Sequence, residues 1–337
     1  MPANTPREGR RPTIRDVAAR AGVSKSLVSL VYASPQSVSE ARRQLVLSAA
    51  EELGFRPNQA ARSLAAADGG FIGILVADMH NPVLADLVDA ARISFAEQGQ
   101  VALATTAAVP RGEDGDDPYD HPALELFGDL RPSGLLIVGS TPHADRLLRL
   151  APGRPVVLAS TIAPELPRAH TVRGHDWRGI HLLIQHLLEL GHREIHHIAG
   201  PGDALSDLRA EAYRAAMTQA GLGSRIRVEP ADYAVDPGRS AAQALLAGPN
   251  PPTAIVATND LAAVGALAAV RSAGRRVAVT GYDGTFVAGL DQIDLTTIDP
   301  NNAEIGRIAA RLFTRPGGAR EILIEPRLVV RGSTRNP

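Results

Sequence analysis

The sequence predicts an all-α head followed by a larger α/β core built on parallel sheets. Helical periodicity on both sides of a glycine predicts the head within residues 13–33. From residue 71 onwards, short apolar runs alternate with stretches of helical periodicity, which is typical of parallel strands connected by helices. A chain of 337 residues is also longer than one small core usually serves, so we expect two or three compact units.

Residues 13–33 predict two short helices joined by a tight turn. Thr13 can cap the first helix, with Asp16 in the reciprocal capping position three residues later. Gly22 supplies the turn because glycine adopts left-handed backbone conformations without a steric penalty. Ser24 then caps the second helix. Two short helices joined through a glycine are typical of the helix-turn-helix that binds DNA.

The alternative is an ordinary helical hairpin, which is common, but the neighbouring residues count against it. The second helix has an apolar face and an opposite polar face, formed respectively by Leu27, Val28 and Val31 and by Lys25, Ser26 and Ser29. A third helix, capped by Ser39, completes a three-helix core with Val46, Ala49, Ala50 and Leu53. Residues 54–65 are then basic and rich in alanine.

The charge of the chain is divided unevenly. Residues 1–65 carry a net charge of +5 and the remainder carries −6, so the overall value of −1 conceals the asymmetry. A basic head is typical of modules that bind nucleic acid, because their cationic side chains displace counterions from the phosphates. Lys25 is the only lysine in the chain. The alternative is that a single lysine remains by chance in a chain whose composition favours arginine. The position of Lys25 at the start of the second helix favours a DNA contact instead.

The composition also excludes several kinds of chemistry. Without cysteine the chain has no disulfide, thiolate nucleophile or cysteine-ligated zinc, and a reducing compartment fits. Without a lysine after residue 25, the core has no phosphate-loop or Schiff-base lysine. His196 and His197 would point to opposite faces of a strand, so we expect no shared metal. No apolar run is long enough to span a membrane, and no secretory signal is expected at residues 1–12.

The run T-I-R-D-V-A-x-x-A-G-V-S from residue 13, followed by G-F-R-P-N-x-x-A-R-S-L-A from residue 54, resembles the LacI/GalR family of transcriptional regulators. The resemblance extends from about residue 13 to residue 334. It implies a hinge helix between the helix-turn-helix head and an α/β periplasmic-binding-protein-like core of two doubly wound parallel-sheet lobes.

The resemblance also implies domain boundaries. These are a disordered basic arm at 1–11, a helix-turn-helix DNA-binding domain at 12–57, a hinge helix and linker at 58–69, and an effector-binding and dimerisation domain at 70–334. Within the last domain, lobe one would hold about 71–171 plus 300–320, and lobe two about 172–297 plus 322–331. The chain would cross between the lobes three times.

In the family's mode of DNA binding, the helix after Ser24 would lie in the major groove, with Lys25 and Ser26 at base edges and Ser29 at phosphates. Leu30 stands where the family often has an arginine that reads guanine. The hinge helix would order only on DNA, where Leu64 would wedge into a central base step unless it is a buried linker contact. The expected DNA-binding residues are Thr13, Ser24, Lys25, Ser26, Ser29, Leu30, Asn58, Ala61 and Leu64.

Polar residues at strand ends are candidates for binding a small molecule. Arg209 matches the arginine of the family's R-x-x-G-Y/F motif, and Asn259 and Asp283 match its A-N-D and G-Y/F-D-D positions. Asp78 matches D-x-x-N-P in lobe one, and Trp177 could stack on a sugar. For each of these residues the alternative to ligand binding is a structural role, as a helix cap, a solvated charge, a strand-end turn or a packing contact. For Asn259 the binding role and the structural role are nearly even. The chain departs from the family at Val83, Leu84, His175, Asp176 and Gly284.

The resemblance therefore implies a cytoplasmic, homodimeric, sequence-specific DNA-binding regulator, with repression as its expected mode, and not an enzyme. Its partners would be double-stranded pseudopalindromic operator DNA and a small polar effector, a sugar or sugar derivative, bound between the lobes. No cofactor, metal or membrane is expected. Three alternatives remain: a ligand-free core used only for dimerisation, a solute-binding sensor, which as an exported receptor would need a signal peptide, and an enzyme built on this fold.

Overall fold

The computed structural model describes residues 12–56, 70–106, 119, 121–314 and 318–335. The chain divides into two compact units between Gly69 and Gly70. The predicted basic arm and the predicted hinge helix, with Asn58, Ala61 and Leu64, lie outside the described residues. Within the part of the chain that is described, no helix is long and apolar enough to cross a membrane.

The first unit contains three helices around a small apolar core, which confirms the predicted helix-turn-helix. They are α1 (Ile14–Ala21), α2 (Lys25–Ala33) and α3 (Glu40–Glu52), with a 3-10 turn at Pro35–Ser37. All three helices contribute buried residues to the core: Val17, Ala18, Ala21, Val28, Val31, Val46, Ala49 and Ala50. Ser39 precedes α3, but its side chain makes no capping hydrogen bond within the described residues.

Local hydrogen bonds fix the ends of α1 and α2 as the sequence predicts. The backbone N–H of Thr13 donates to Asp16 Oδ2 at 2.7 Å. Gly22 ends α1 in the left-handed conformation, with φ of 65°. Ser24 Oγ accepts the backbone N–H of Leu27 at 3.2 Å. Because these bonds satisfy donors that a helix start leaves unpaired, short-range chemistry defines both helix boundaries.

The second unit is an α/β structure. Its strands are β1 (Phe71–Val76), β2 (Val101–Thr106), β3 (Gly134–Val138), β4 (Val156–Ala159), β5 (His170–Gly174), β6 (Ile195–Ile198), β7 (Val228–Glu229), β8 (Ala254–Ala257), β9 (Ala278–Tyr282), β10 (Thr296–Asp299), β11 (Glu321–Ile324) and β12 (Arg327–Val329). Its helices are α4 (Pro82–Glu97), α5 (His121–Asp129), α6 (Asp176–Glu189), α7 (Ala204–Gln219), α8 (Val235–Ala247), α9 (Asp260–Ser272), α10 (Asn302–Leu312) and α11 (Gly332–Arg335). The 3-10 turns lie at Ala144–Leu150, Gly223–Arg225 and Phe286–Gly289.

The strands form two six-stranded sheets, one in each lobe. The first sheet has the order β11-β5-β4-β3-β1-β2, and its neighbouring strands are parallel. The second has the order β12-β10-β9-β8-β6-β7 and is parallel except for the β10–β12 pair. Two apolar clusters accompany each sheet, and helices contribute to them. This architecture confirms the predicted core of two doubly wound lobes.

The structure corrects two of the predicted lobe boundaries. β5 pairs with β4 and β11 in the first sheet, so lobe one extends to Gly174 and does not end at 171. The predicted boundaries place 322–331 in lobe two, but β11 belongs to the first sheet and only β12 joins the second. The segment is divided because the chain crosses from the first sheet to the second within the two residues that connect β11 to β12. The chain therefore passes between the sheets after β5, after β10 and after β11, which gives the three crossings that the resemblance implies.

Glycine allows α8 and α9 to pack backbone against backbone in lobe two. A Cβ at Gly265 would lie 2.6 Å from the backbone N of Arg239 and would also collide with the carbonyl oxygen of Val235. A Cβ at Gly238 would lie 2.6 Å from the Cα of Ala262. Backbone atoms cannot turn aside as a flexible side chain can, so these glycines set the distance between the helices.

We therefore expect Gly265→Ala to lower the free energy of unfolding by about 1–3 kcal/mol, because the overpacking cost exceeds the gain in helix propensity. Gly223→Ala is a matched control, since the nearest atom to its added Cβ is Thr218 Oγ1 at 3.8 Å. Its effect should stay within about 0.5 kcal/mol. Urea denaturation measures both. Equal stabilities would contradict the close approach of α8 and α9.

Candidate functional site

The outward face of α2 brings predicted DNA-binding residues onto one surface. Lys25, Ser26, Ser29 and Leu30 are exposed and line a single shallow depression. On the opposite side of α2, the side chains of Val28 and Val31 are buried in the core of the head, and Leu27 is partly buried. Thr13 and Ser24, by contrast, use their polar groups at the starts of α1 and α2.

The cations of the first unit differ in how they are paired. Arg20 forms an ion pair with Glu52, and Arg43 forms one with Glu40. The ammonium of Lys25 makes no such pair with the described residues. An ammonium without a carboxylate partner remains free to bind an anion or a base edge. The face of α2 therefore carries an available charge at its N-terminal end.

In lobe two, the side chain of Arg209 is the centre of a buried polar cluster. Its Nε donates to Asp176 Oδ1 at 2.8 Å, and its Nη1 donates to the carbonyl oxygen of Thr258 at 2.7 Å. Its Nη2 lies 3.8 Å from Asp283 Oδ1. The guanidinium carbon sits 3.8 Å from the centre of the Tyr282 ring, a cation–π contact. Arg209 is only 4% exposed, so its charge depends on these partners.

Local motifs hold this cluster in place. Asp203 caps α7, and its Oδ1 also accepts the hydroxyl of Tyr233 at 3.0 Å. Asp283 follows β9 with φ of 111°, a conformation that is strained for a residue other than glycine. Asn302, at the start of α10, donates from Nδ2 to the carbonyl oxygen of Asp283 at 2.8 Å. Because α10 packs in the core of lobe one, this bond joins the two lobes beside Arg209.

A second buried arginine extends the cluster into lobe one. Arg173 on β5 donates from Nη1 to Asp176 Oδ2 at 2.9 Å and from Nη2 to Glu321 Oε1 at 2.8 Å. Asp176 thus accepts hydrogen bonds from Arg173 in one lobe and Arg209 in the other. The four side chains form a continuous chain of alternating charge that runs from β11 to α7.

The structure brings together some of the predicted effector residues and not others. Arg209 and Asp283 share the cluster. Asn259 is a helix cap: its Oδ1 accepts the N–H of Ala262 at 2.8 Å and its Nδ2 donates to a carbonyl oxygen at 3.0 Å. Asp78 is exposed after β1 and accepts the backbone N–H of the nearby His80. Trp177 is 36% exposed and stacks on the imidazole four residues later in α6.

The departures from the family have structural reasons. Val83 and Leu84 are buried in the apolar core of lobe one. Gly284 has φ of 63°, and a Cβ there would lie 2.8 Å from the Cα of Asp299, so an aspartate would not fit. Asp176, which the sequence marks only as a departure from the family, belongs to the cluster around Arg209. Tyr233 was missed altogether, since no spacing links it to Arg209.

Burial changes the protonation of several groups around the cluster. It raises the pKa of Asp283 to about 8, although Arg209 opposes this, and it raises the pKa of Asp260 to about 6. Burial lowers the pKa of His197 to about 4, so that imidazole is neutral. Asp176 therefore supplies the main counter-charge of Arg209, and a protonated Asp283 can donate as well as accept a hydrogen bond.

A helix-turn-helix with a free polar face, followed by a two-lobed α/β core, defines a class of DNA-binding transcriptional regulators. Residues 13–58 match the family model of bacterial regulatory proteins, lacI family, and residues 184–334 match the periplasmic binding protein-like domain. The chain is 30% identical to the HTH-type transcriptional repressor CytR of Escherichia coli K12, over 96% of both chains. It is 33% identical to the ribose operon repressor of the same strain, over 95% of this chain and 99% of the relative. The chain therefore belongs to the LacI family of DNA-binding transcriptional repressors.

Solved structures share the same architecture. A Lac repressor dimer bound to operator and the anti-inducer ONPF matches with a TM-score of 0.81 and 24% identity, covering 96% of this chain and 99% of that one. A complex of the transcriptional regulator CelR with cellobiose matches with a TM-score of 0.69 and 27% identity, covering 96% and 100%. Both similarities cover head and core together.

The raised pKa of Asp283 predicts a pH dependence of stability. A carboxyl whose pKa is about 8 in the folded protein, against about 4 when unfolded, stabilises the fold at low pH and loses that contribution as pH rises towards 8. Asp283→Asn should therefore reduce the fall in unfolding free energy between pH 5 and pH 8, by up to about 1.4 kcal/mol per pH unit.

The control is Asp236→Asn, since the Asp236 side chain is 88% exposed and should leave the slope unchanged. Urea denaturation across the pH series measures the slope. Parallel curves for wild type and Asp283→Asn would contradict the protonation of Asp283.

Proposed function

We propose that this repressor binds a pseudopalindromic operator as a homodimer and that a small polar effector controls the binding. The observation that carries the DNA-binding part is the exposed face of α2 within the segment that matches the family model. A dimer with two-fold symmetry presents two such faces, which suits an operator with two inverted half-sites. Since bacterial operators lie in the cytoplasm, we place its action there, and we assign it no catalytic role.

Within this proposal, Lys25 and Ser26 contact base edges and Ser29 contacts a phosphate. Thr13 and Ser24 hold the helix starts at the DNA surface. Asn58, Ala61 and Leu64 form the DNA-facing side of a hinge helix, with Leu64 as the wedge; this part rests on the resemblance alone. The exposed positions and the free ammonium of Lys25 support the assignment of α2.

We expect Lys25→Ala to weaken operator binding by about tenfold while changing binding to a scrambled duplex much less, because a good base contact contributes about 1–3 kcal/mol. Fluorescence anisotropy with labelled duplexes measures both. The control is Arg92→Ala in the second unit, which removes an exposed cation that pairs with Asp89. Equal losses on operator and scrambled DNA, with a shallower salt dependence, would assign Lys25 to a phosphate instead.

The charge balance around Arg209 indicates the kind of effector. Asp176 already compensates the guanidinium, so the cluster has no spare positive charge for a phosphate or a carboxylate. Hydroxyl groups suit it better, because each can accept from Arg209 and donate to a side-chain oxygen of Asp176 or Asp283. We therefore propose an uncharged polyhydroxyl effector such as a sugar, with Asp78 closing on it from lobe one, and with Asn259 as a positioning cap and Trp177 as a stacking surface.

The relatives support this choice of ligand class. One is named a ribose operon repressor, and one of the solved relatives holds cellobiose. Effector binding at Arg209 would compete with Asp176 and so loosen or tighten the chain of charges that continues through Arg173 into lobe one. A ligand that prefers one arrangement of the lobes shifts the population towards it. In the proposed mechanism this shift changes how the paired hinges present the heads to DNA.

We expect an uncharged sugar that fits the cluster to raise the Tm by about 5 °C at saturation, and its phosphorylated form to raise it much less. Differential scanning fluorimetry with paired sugars and sugar phosphates, ribose and cellobiose first, measures this. Arg209→Lys should abolish the shift, because an ammonium lacks the planar fork. If that variant fails to fold, Asp283→Ala serves instead, with Asp236→Ala as the exposed control.

A larger shift with the phosphorylated sugar would overturn the charge argument. If none of the uncharged sugars stabilises the protein, the core is better described as a dimerisation scaffold without a ligand.

A further inference from the structure

Leu30 is an apolar side chain placed among polar ones on the outward face of α2. It is 39% exposed, and it lines the same depression as Lys25, Ser26 and Ser29. Of the side chains that the structure describes on α2, it is the only large apolar one that is exposed. The core of the head is formed without it. Its apolar surface is therefore available to a partner that covers this face.

The chemistry of the face restricts what Leu30 can contact there. The proposed function places α2 in the major groove, whose floor consists of hydrogen-bonding edges and a single kind of apolar group, the C5-methyl of thymine. Leucine has no donor or acceptor. Placed over a guanine or cytosine edge, it would leave polar groups of the base desolvated and unpaired, which is unfavourable. Placed over a thymine methyl, it buries apolar surface on both sides.

We propose that Leu30 reads the C5-methyl of one thymine in each operator half-site and thereby selects an A·T pair at that position. The proposal rests on the proposed function of α2. Ser26 and Leu30 lie four residues apart, about one helical turn, which is about 6 Å along the axis of α2. This distance corresponds to about two steps of about 3.4 Å between bases. The selected thymine therefore lies within about two base pairs of the base edges that Lys25 and Ser26 contact.

The test removes the methyl group and nothing else. The preferred duplex is selected from random oligonucleotides with the full-length protein, and each thymine in the half-sites is then replaced in turn by deoxyuridine. For the wild type, the replacement in one half-site should weaken binding by about fourfold, and the symmetric replacement in both half-sites by about sixteenfold. For Leu30→Ala, the same replacements should change affinity by less than about twofold. Fluorescence anisotropy at fixed salt gives the dissociation constants.

Leu45→Ala is the matched control. Leu45 is also an exposed leucine of the head, but it lies on α3, so its variant should keep the wild-type sensitivity to deoxyuridine. Because Leu30 and Leu45 both lie outside the buried core, circular dichroism should show both variants folded. A fourfold penalty that persists unchanged in Leu30→Ala would overturn the proposal, as would the absence of any sensitive thymine in the wild type.

These failures differ from a failure of the proposed function. In both, the wild type still prefers its selected operator over scrambled DNA, and only the assignment of Leu30 is lost. If the protein selected no duplex at all, the proposed function and this inference would both be overturned.

Discussion

The buried guanidinium of Arg209 is the constraint on which the second unit depends. A charge removed from water is tolerated only where hydrogen bonds and an opposite charge surround it. Asp176, Thr258 and Asp283 supply these groups from the segments after β5, β8 and β9, three points far apart in the sequence. The need to satisfy one side chain therefore orders segments at the carboxyl ends of strands in both sheets, where α/β folds bind their ligands.

The two units use charge in opposite ways. In the head, Arg20 and Arg43 are paired with glutamates on the outside of the helices, whereas the exposed Lys25 has no ion pair with the described residues. In the core, Arg173 and Arg209 are both buried and both bonded to Asp176. An exposed charge attracts phosphates only within the screening distance set by the salt concentration. A buried ion pair is screened much less, and it fixes the relative positions of its side chains. The division suits the proposed roles, in which the first unit binds DNA and the second binds a small uncharged effector.

Short-range chemistry explains why the head could be predicted and parts of the core could not. The capping of α1 and α2 involves residues within a few positions of each other, so the sequence displays it directly. The strand β11 alternates between exposed and partly buried residues and lies at a sheet edge, so it lacks the apolar run that identifies β1 or β3. Its membership of lobe one follows only from pairing with β5. In the site, Arg209 and Asp283 were found from their motifs, but Tyr233 joins them through tertiary packing alone.

The crossovers between the lobes are very short. A single residue separates β5 from α6, two separate β10 from α10, and two separate β11 from β12. Sliding of one lobe over the other would need slack that these links do not have, so relative motion is confined to rotation about a few backbone torsions. In the proposed mechanism, the stiffness of those torsions sets how often the lobes close spontaneously, and with it how far DNA binding changes in the absence of effector.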